Sequence, residues 1–370
     1  MAGTIVHEWI GKTGGAERVL DEFARLFPDA PIRVLWSDID DLFSGDRMKE
    51  SWLASTPLRK HKALALPLML PHWRSRSLIP PSDWVLISSH LFAHHARMPD
   101  VDTPKLVYAH TPARYIWTPE HDDRGNSLTA RLASSVLRPL DRRRAQEATS
   151  IAANSQFTRA RIARSWERDA EVIYPPVDVA EIQALTSWVD AVPAQETAVL
   201  DALPPTFVLG ASRLIPYKRL DVAIAMGAAV GMPVVIAGSG PDKDRLVALA
   251  EASGAEVRFL DHPSDVLLRA LYERAAVFVF AAIEDFGIMP VEAMAVGTPV
   301  ITANTGGTTE SVLDGVSGAA LESFEPAALR EAFARAETCT KEGIRARARM
   351  FDREMFANRI RGWVQREAKK

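Results

Sequence analysis

The sequence contains a single cysteine, Cys339, so no internal disulfide can form and nothing asks for an oxidising compartment. No run approaches the roughly 18 consecutive apolar residues that a membrane-spanning helix needs. The opening "MAGTIVHEWIGKTGG" lacks a basic stretch followed by an apolar core, so no export signal is visible and a cytoplasmic location is expected. An excess of positive charge is missing as well. The formal net charge is −3, whereas general affinity for nucleic acid rests on a basic face that neutralises phosphates, so no nucleic-acid partner is expected. There is no short-period repeat and no low-complexity tract.

What is present has the composition of a folded protein, 47% hydrophobic and 25% charged. At 370 residues the chain exceeds the size at which one core stops growing, which favours two domains. Short β-branched runs alternate with amphipathic helices almost throughout. Strands are predicted at 4–8, 32–36, 84–88, 105–110, 150–154 and 171–174, then at 207–211, 233–237, 257–260, 277–281 and 299–303. Helices are predicted between them, for example at 16–27, 218–229 and 289–296. Such alternation implies an α/β fold of two doubly wound, mostly parallel sheets in tandem.

The domains expected are 1–182 and 206–350, joined by a connector over 183–205 that carries Pro193, Pro204 and Pro205. The tail, 351–370, spaces Met355, Phe356, Ile360, Trp363 and Val364 as one helical face, which is expected to pack back on the first domain. Ligands of open α/β sheets sit beyond the carboxyl ends of the strands, so two such domains facing each other imply a cleft.

Three devices stand at those strand ends in the second half. "ASRLIPYKRLD" places Arg213 and Lys218 in a strand-to-helix loop, where a planar fork and a mobile point charge suit a diphosphate; taken alone, the pair also reads as an exposed basic loop. "NTGGTTE" places Gly306 and Gly307 before a helix start near Thr308, where backbone N–H groups favour an anion, although most Gly-Gly pairs only make turns. Glu284 and Glu292 flank "DFG" and Pro290, and two carboxylates accept hydrogen bonds from vicinal hydroxyls such as those of a ribose and a hexose. Asp38, Asp40 and Asp41 in "SDIDD" match an Asp-x-Asp metal pattern, but they read as a solvated loop, and no metal or other cofactor is expected.

The segments "EDFGIMPVEAMAVGTPVI", "TGGTTE", "GASRLIPYKRLDVAI" and "VIYPPVD", with "HEWIGKTGGAERVL" and "YAHTPARYIW" in the first half, resemble glycosyltransferase family four. That resemblance implies a GT-B fold of two Rossmann-like domains, retention of anomeric configuration and a nucleotide-sugar donor bound chiefly by the second domain. It assigns Arg213 and Lys218 to the diphosphate, Gly306, Gly307 and Thr308 to backbone donors for it, and Glu292 to the ribose. Glu284, with the backbone of Phe286, Gly287 and Ile288, would hold the transferred sugar. From the first domain, Gly14 and Gly15 would close on the phosphates or acceptor, and His110 would sit near the sugar; without the resemblance His110 reads as a satisfied histidine at a strand end. His7 and Glu8 suit either the site or the structure. Asp261 and His262 stand where relatives often carry a glycine and shape the base pocket, which makes His262 a candidate contact. Tyr115 and Trp117 read as packing residues, and Arg142, Arg143 and Arg144 as a solvated helical face.

"HTPARYIW" and "PYKRLDVAI" are similar to bacterial mannosyltransferases that use GDP-mannose for surface polysaccharides or glycolipids. The expected acceptor is a saccharide or a lipid-linked sugar. Residues 57–79 combine basic residues with Leu64, Leu66, Leu68, Met69, Leu70 and Trp73, which suits either contact with the inner face of an anionic membrane or a core helix with a charged flank. A UDP-sugar transferase, a sugar-nucleotide epimerase or hydrolase, and a catalytically silent binding subunit are the other readings.

Overall fold

The computed structural model describes residues 2–369 except Thr13, Asp41, Ser44 and 118–127. The chain divides into two compact units, Met1–Pro176 with Glu354–Lys370, and Val177–Arg353. The first holds seven strands: β1 Gly3–His7, β2 Ile32–Val34, β3 Met48–Glu50, β4 Trp84–Ser89, β5 Lys105–Ala109, β6 Ser150–Ala153 and β7 Glu171–Val172. They form one sheet in the order β3-β2-β1-β4-β5-β6-β7, parallel throughout. β1, β4 and β5 are buried along their whole length, as strands covered by helices on both faces must be.

The second unit holds β8 Phe207–Ala211, β9 Val234–Ala237, β10 Val257–Leu260, β11 Ala275–Phe280, β12 Val300–Ala303 and β13 Gly318–Leu321. Their order is β10-β9-β8-β11-β12-β13, again parallel. In each sheet the winding direction reverses once, between β1 and β4 and between β8 and β11. Loops diverge at such a reversal and leave a crevice for a ligand.

Two edge strands differ from expectation. β3 reads "MKE" and β13 "GAAL", so neither has the β-branched run that signals a strand; both gain their ladder from a neighbour already in place. Residues 183–205 are no bare connector: they carry the end of the helix Val179–Ala184 and all of Ala194–Asp201, both within the second unit, and Arg274 Nη1 donates to the Leu200 carbonyl at 2.7 Å. The prolines there cap and separate helices.

The tail helix, Arg353–Glu367, belongs to the first unit. Phe356, Ile360, Trp363 and Val364 are buried in one cluster with Phe23, Leu86 and Tyr108. Phe356 stacks on Phe23 at 5.9 Å and Trp363 Nε1 donates to Ser150 Oγ at 2.9 Å. Each such aromatic contributes roughly 2–3 kcal/mol by burial. Met355 lies on the other side of the helix and is about half exposed, a correction to the predicted face.

Residues 57–79 fold as a short 3-10 turn and the helix Lys62–Trp73. Ala65, Met69 and Trp73 are buried in the first unit's core, while Leu64 stays 67% exposed beside Lys60 and Lys62. Among the described residues no helix is long and apolar enough to cross a membrane.

Candidate functional site

The loop after β8 is built by its own hydrogen bonds. Leu214 is buried; its N–H donates to the Ser239 carbonyl at 2.8 Å and its carbonyl accepts from Asp242 N–H at 2.9 Å, which ties this loop to the one after β9. A 3-10 turn, Pro216–Lys218, follows, and the helix begins at Asp221 rather than at 218. Lys218 therefore projects from a turn. Its Nζ lies 2.5 Å from Glu284 Oε1, and both side chains are mostly buried. Arg213 Nη2 donates to Tyr217 Oη at 3.3 Å.

Glu284 sits in the loop after β11, the strand next to β8, so the reversal of the sheet brings these two residues together. Its carbonyl accepts the Gly307 N–H at 2.7 Å. The backbones of the two loops lie so close that a Cβ on Gly307 would come 1.9 Å from the Asp285 carbonyl oxygen. The sequence asks for glycine here because backbone packs on backbone. Gly307's N–H is thereby occupied, so the donors this turn has left are those of Gly306 and Thr308. The helix Thr308–Ser311 is a single turn, which makes local N–H groups its offering to an anion rather than a long dipole. Thr308 Oγ1 is buried with no hydrogen-bond partner among the described residues.

Gly287, at φ +89°, turns the chain into the helix Ile288–Val296, on which Glu292 is buried and Pro290 is the third residue. Phe286 is buried with its ring 5.5 Å from that of Phe351, so it offers its backbone, not its ring, to a ligand. His262 follows β10 at φ +50°, a conformation that favours glycine, and its Nδ1 lies 3.4 Å from Ser239 Oγ. Asp261 pairs with Lys243 at 2.5 Å.

In the first unit His110 Nε2 lies 2.8 Å from Ser88 Oγ, which in turn lies 2.9 Å from His7 Nδ1. Burial, then the neighbouring His90 and His7, hold His110 well below the usual histidine range. Burial and His90 push His7 down to about 3, against the pull of Glu8 and of the backbone at Trp9 and Ser88. Glu8 is structural: its carboxylate accepts from the backbone N–H groups of His90, Leu91 and Ala93 at 2.9, 2.8 and 2.6 Å. Gly14 precedes the helix Gly15–Leu26, and Glu17 of that helix folds back so that Oε1 accepts Gly11 N–H at 2.9 Å.

Asp38 pairs with Arg59 at 3.1 Å on an exposed loop, and Asp41 lies outside the described residues. Sequence reasoning missed Ser88, and also a buried cluster of His94, His95 and Asp141. Asp141 Oδ1 lies 3.0 and 2.9 Å from the Nε2 atoms of His94 and His95, and Oδ2 accepts both Trp117 and Trp166 indole N–H groups at 2.7 Å. Three N–H donors, from His95, Trp117 and Trp166, hold this carboxylate with His94 packed beside it, which makes this a structural hub and Trp117 a packing residue. No spacing in the sequence brings these five residues together.

Residues 13–181 match the model of glycosyltransferase family 4 and residues 197–352 that of the glycosyl transferases group 1. A D-inositol 3-phosphate glycosyltransferase of Mycolicibacterium gilvum is 36% identical over 167 residues, 42% of this chain and 36% of that one. The α-1,3/1,6-mannosyltransferase alg-2 of Neurospora crassa is 30% identical over 216 residues, 46% of this chain and 44% of that one. These matches take in less than half the length of either relative. Among solved structures, Anabaena Alr3699/HepE in complex with UDP has a TM-score of 0.69 at 19% identity over 98% of this chain and 99% of its own. Sucrose-phosphate synthase from Thermosynechococcus elongatus has a TM-score of 0.72 at 16% identity over 98% of each chain. At those identities the likeness carries the fold. The two models together take in residues 13–181 and 197–352, on two parallel sheets of the GT-B fold: the chain belongs to glycosyltransferase family four.

Proposed function

We propose that the protein is a retaining glycosyltransferase that moves a hexose, in first place mannose from GDP-mannose, to a saccharide or lipid-linked acceptor. The observation that carries this reading is the meeting of Lys218 with Glu284 beside the Gly306–Thr308 turn. A cation, spare backbone N–H groups and a carboxylate share one strand-end region, which suits a diphosphate joined to a hydroxyl-rich sugar. Arg213, Lys218 and the N–H groups of Gly306 and Thr308 take the diphosphate, Glu292 the ribose, and Glu284 with the backbone of Phe286 to Ile288 the transferred sugar. His262 borders the base. The family assigns His110 to the sugar and Gly14 and Gly15 to phosphate or acceptor.

As the bond from anomeric carbon to phosphate breaks, the sugar becomes oxocarbenium-like and negative charge grows on the diphosphate. Oriented cations and N–H groups stabilise that charge as it forms, and such stabilisation commonly contributes more to catalysis than any other single effect. No step calls for a metal. With no carboxylate assigned as nucleophile, the acceptor enters on the face the diphosphate leaves, and the departing phosphate takes its proton. The competing route, a glutamate nucleophile with a covalent glycosyl intermediate, would trap label on the enzyme.

GDP-mannose is favoured by the similarity to mannosyltransferases, of which alg-2 is one by name. A UDP-sugar is the second reading, because HepE was crystallised with UDP and with UDP-glucose. Isothermal titration with GDP and UDP tests the choice, and tighter binding of UDP would reject GDP-mannose. A peripheral position on the inner membrane face is proposed for the outward side of residues 57–79, where Leu64, Lys60 and Lys62 are exposed. A donor screen with a lipid extract as acceptor tests the whole assignment; donor breakdown at the same rate without acceptor would replace transferase by hydrolase.

A further inference from the structure

Ser88 stands at the middle of a chain of three side chains at the carboxyl ends of β1, β4 and β5. The ladder places His7 opposite Ser88, and Ser88 opposite Tyr108, two residues before His110. A serine hydroxyl has one proton to give and two lone pairs; Ser88 Oγ has no third hydrogen-bond partner among the described residues, so it donates to one imidazole and accepts from the other. Two arrangements balance. In the first, His7 Nδ1–H donates to Ser88 Oγ, Ser88 donates to His110 Nε2, and His110 keeps its proton on Nδ1. In the second, each bond runs in reverse, His7 is protonated on Nε2, and His110 Nδ1 is bare.

His7 Nε2 decides between them. It is buried and has no hydrogen-bond partner among the described residues. In the second arrangement it would be a buried N–H donor without a hydrogen bond, the backbone at Trp9 and Ser88 being the weakest of the influences on this ring, and orphaned buried N–H groups are rare in folded proteins. In the first it is an unpaired acceptor, which costs less. The surroundings keep both rings neutral: His90 lies 5.7 Å from His7 and 6.3 Å from His110, Tyr108 lies edge-on to His110 at 5.2 Å, and the adjacent Glu8 carboxylate is occupied by backbone N–H groups.

We infer that Ser88 and His7 are positioning residues that hold His110 as its Nδ1–H tautomer, so that the half-buried residue offers a hydrogen-bond donor to an oxygen of the substrate. His110 Nδ1 has no hydrogen bond to the protein among the described residues, which leaves that proton for the ligand. On this assignment His110 orients an oxygen and does not act as a base through Nδ1. The inference rests on the proposed contact between His110 and the transferred sugar, but the tautomer itself can be read without substrate.

Long-range proton–nitrogen correlation spectra of the 15N-labelled full chain at pH 7.5 test it. The expected spectrum shows Nδ1 protonated and Nε2 bare on both His7 and His110. Ser88→Ala should move His110 toward the Nε2–H form and lower kcat about tenfold with the donor KM within about twofold, and Ser88→Thr should restore both. A wild-type His110 protonated on Nε2 overturns the inference, as does a Ser88→Ala protein whose tautomer is unchanged. His110→Ala separates the two readings: unaltered turnover would remove His110 from the sugar while the wild-type spectrum still decides the tautomer.

Discussion

Lys218 Nζ lies 2.5 Å from Glu284 Oε1, so the cation assigned to the leaving diphosphate is held by the carboxylate assigned to the sugar. A donor has to exchange this internal pair for two contacts of its own. The pair keeps Lys218 oriented and keeps a part-buried charge compensated until the donor arrives.

Replacing Glu284 by glutamine should therefore separate binding from chemistry. Without the carboxylate, Lys218 is free for phosphate, and a nucleoside diphosphate lacking sugar should bind about three- to tenfold more tightly by titration calorimetry. Turnover of the intact donor should fall by about a hundredfold, since the sugar exchanges a charged acceptor for a neutral amide oxygen. Weaker diphosphate binding in the variant would show that the pair does not compete with the ligand.

Arg213→Ala and Lys218→Ala should each lower kcat by about 10²–10³ at saturating donor, because they act on charge that develops during bond breaking. Glu292→Ala should act mainly on KM, since a ribose contact is the same before and during the reaction. Steady-state kinetics on the three variants decide this, and equal losses of kcat would contradict the division of labour.

How much of this could be read from the residues alone follows from locality. Arg213, Lys218, Glu284 and the Gly306–Gly307 turn each lie just after a strand that is visible as a β-branched run, so their placement at strand ends needed only the alternation of elements. That Lys218 meets Glu284 needed the order of strands, with β8 beside β11, which no spacing encodes. β3 and β13 were hidden because edge strands of polar or small residues carry no period-two signal. Ser88 and Asp141 were hidden for another reason: their partners lie 22 and more residues away, and a lone serine or aspartate has no signature until the fold supplies its neighbours. The departure from the family's glycine at Asp261 and His262 came from the resemblance and not from the residues alone, and its physical counterpart is the left-handed backbone of His262.

The tail helix yields a stability prediction. Trp363 is fully buried in the first unit, so Trp363→Ala should destabilise that unit by about 3–5 kcal/mol through lost burial and the cavity left behind. Urea unfolding followed by near-ultraviolet dichroism should show one transition moving to lower urea while the other stays. A shift in both, or in neither, would contradict the assignment of this helix to the first unit's core.

Acid should act on the first unit as well. Burial holds His90 and His95 down to about 4 and His7 to about 3, whereas the unfolded chain takes these protons near 6.5. The native pKa values are depressed, so the full contribution is present above pH 6.5 and is lost as the pH falls toward 4, where the unfolded chain binds more protons. Asp141 extends the loss to lower pH: burial alone would raise it, but His94 and His95 hold it well below the usual carboxylate range. Stability between pH 7 and 4 should fall steadily, by several kcal/mol in all, and a flat profile of unfolding midpoints over that range would show that these histidines are not buried neutral.

The sharpest steric demand in the candidate site falls on Gly307. Its N–H is donated to the Glu284 carbonyl, and a Cβ there would meet the Asp285 carbonyl oxygen at 1.9 Å and its carbon at 2.4 Å, both backbone atoms that cannot swing aside. Gly307→Ala must push the loops after β11 and β12 apart, which costs about 1–3 kcal/mol in overpacking. The same movement carries Glu284 away from Lys218, so nucleotide-sugar affinity should drop by about tenfold or more along with stability. Gly362→Ala is the control, since its Cβ would meet nothing within 4 Å on an exposed helical face and should be neutral or slightly stabilising. If Gly307→Ala loses stability but binds donor as tightly as the parent, the contact between these two loops shapes the fold and not the site.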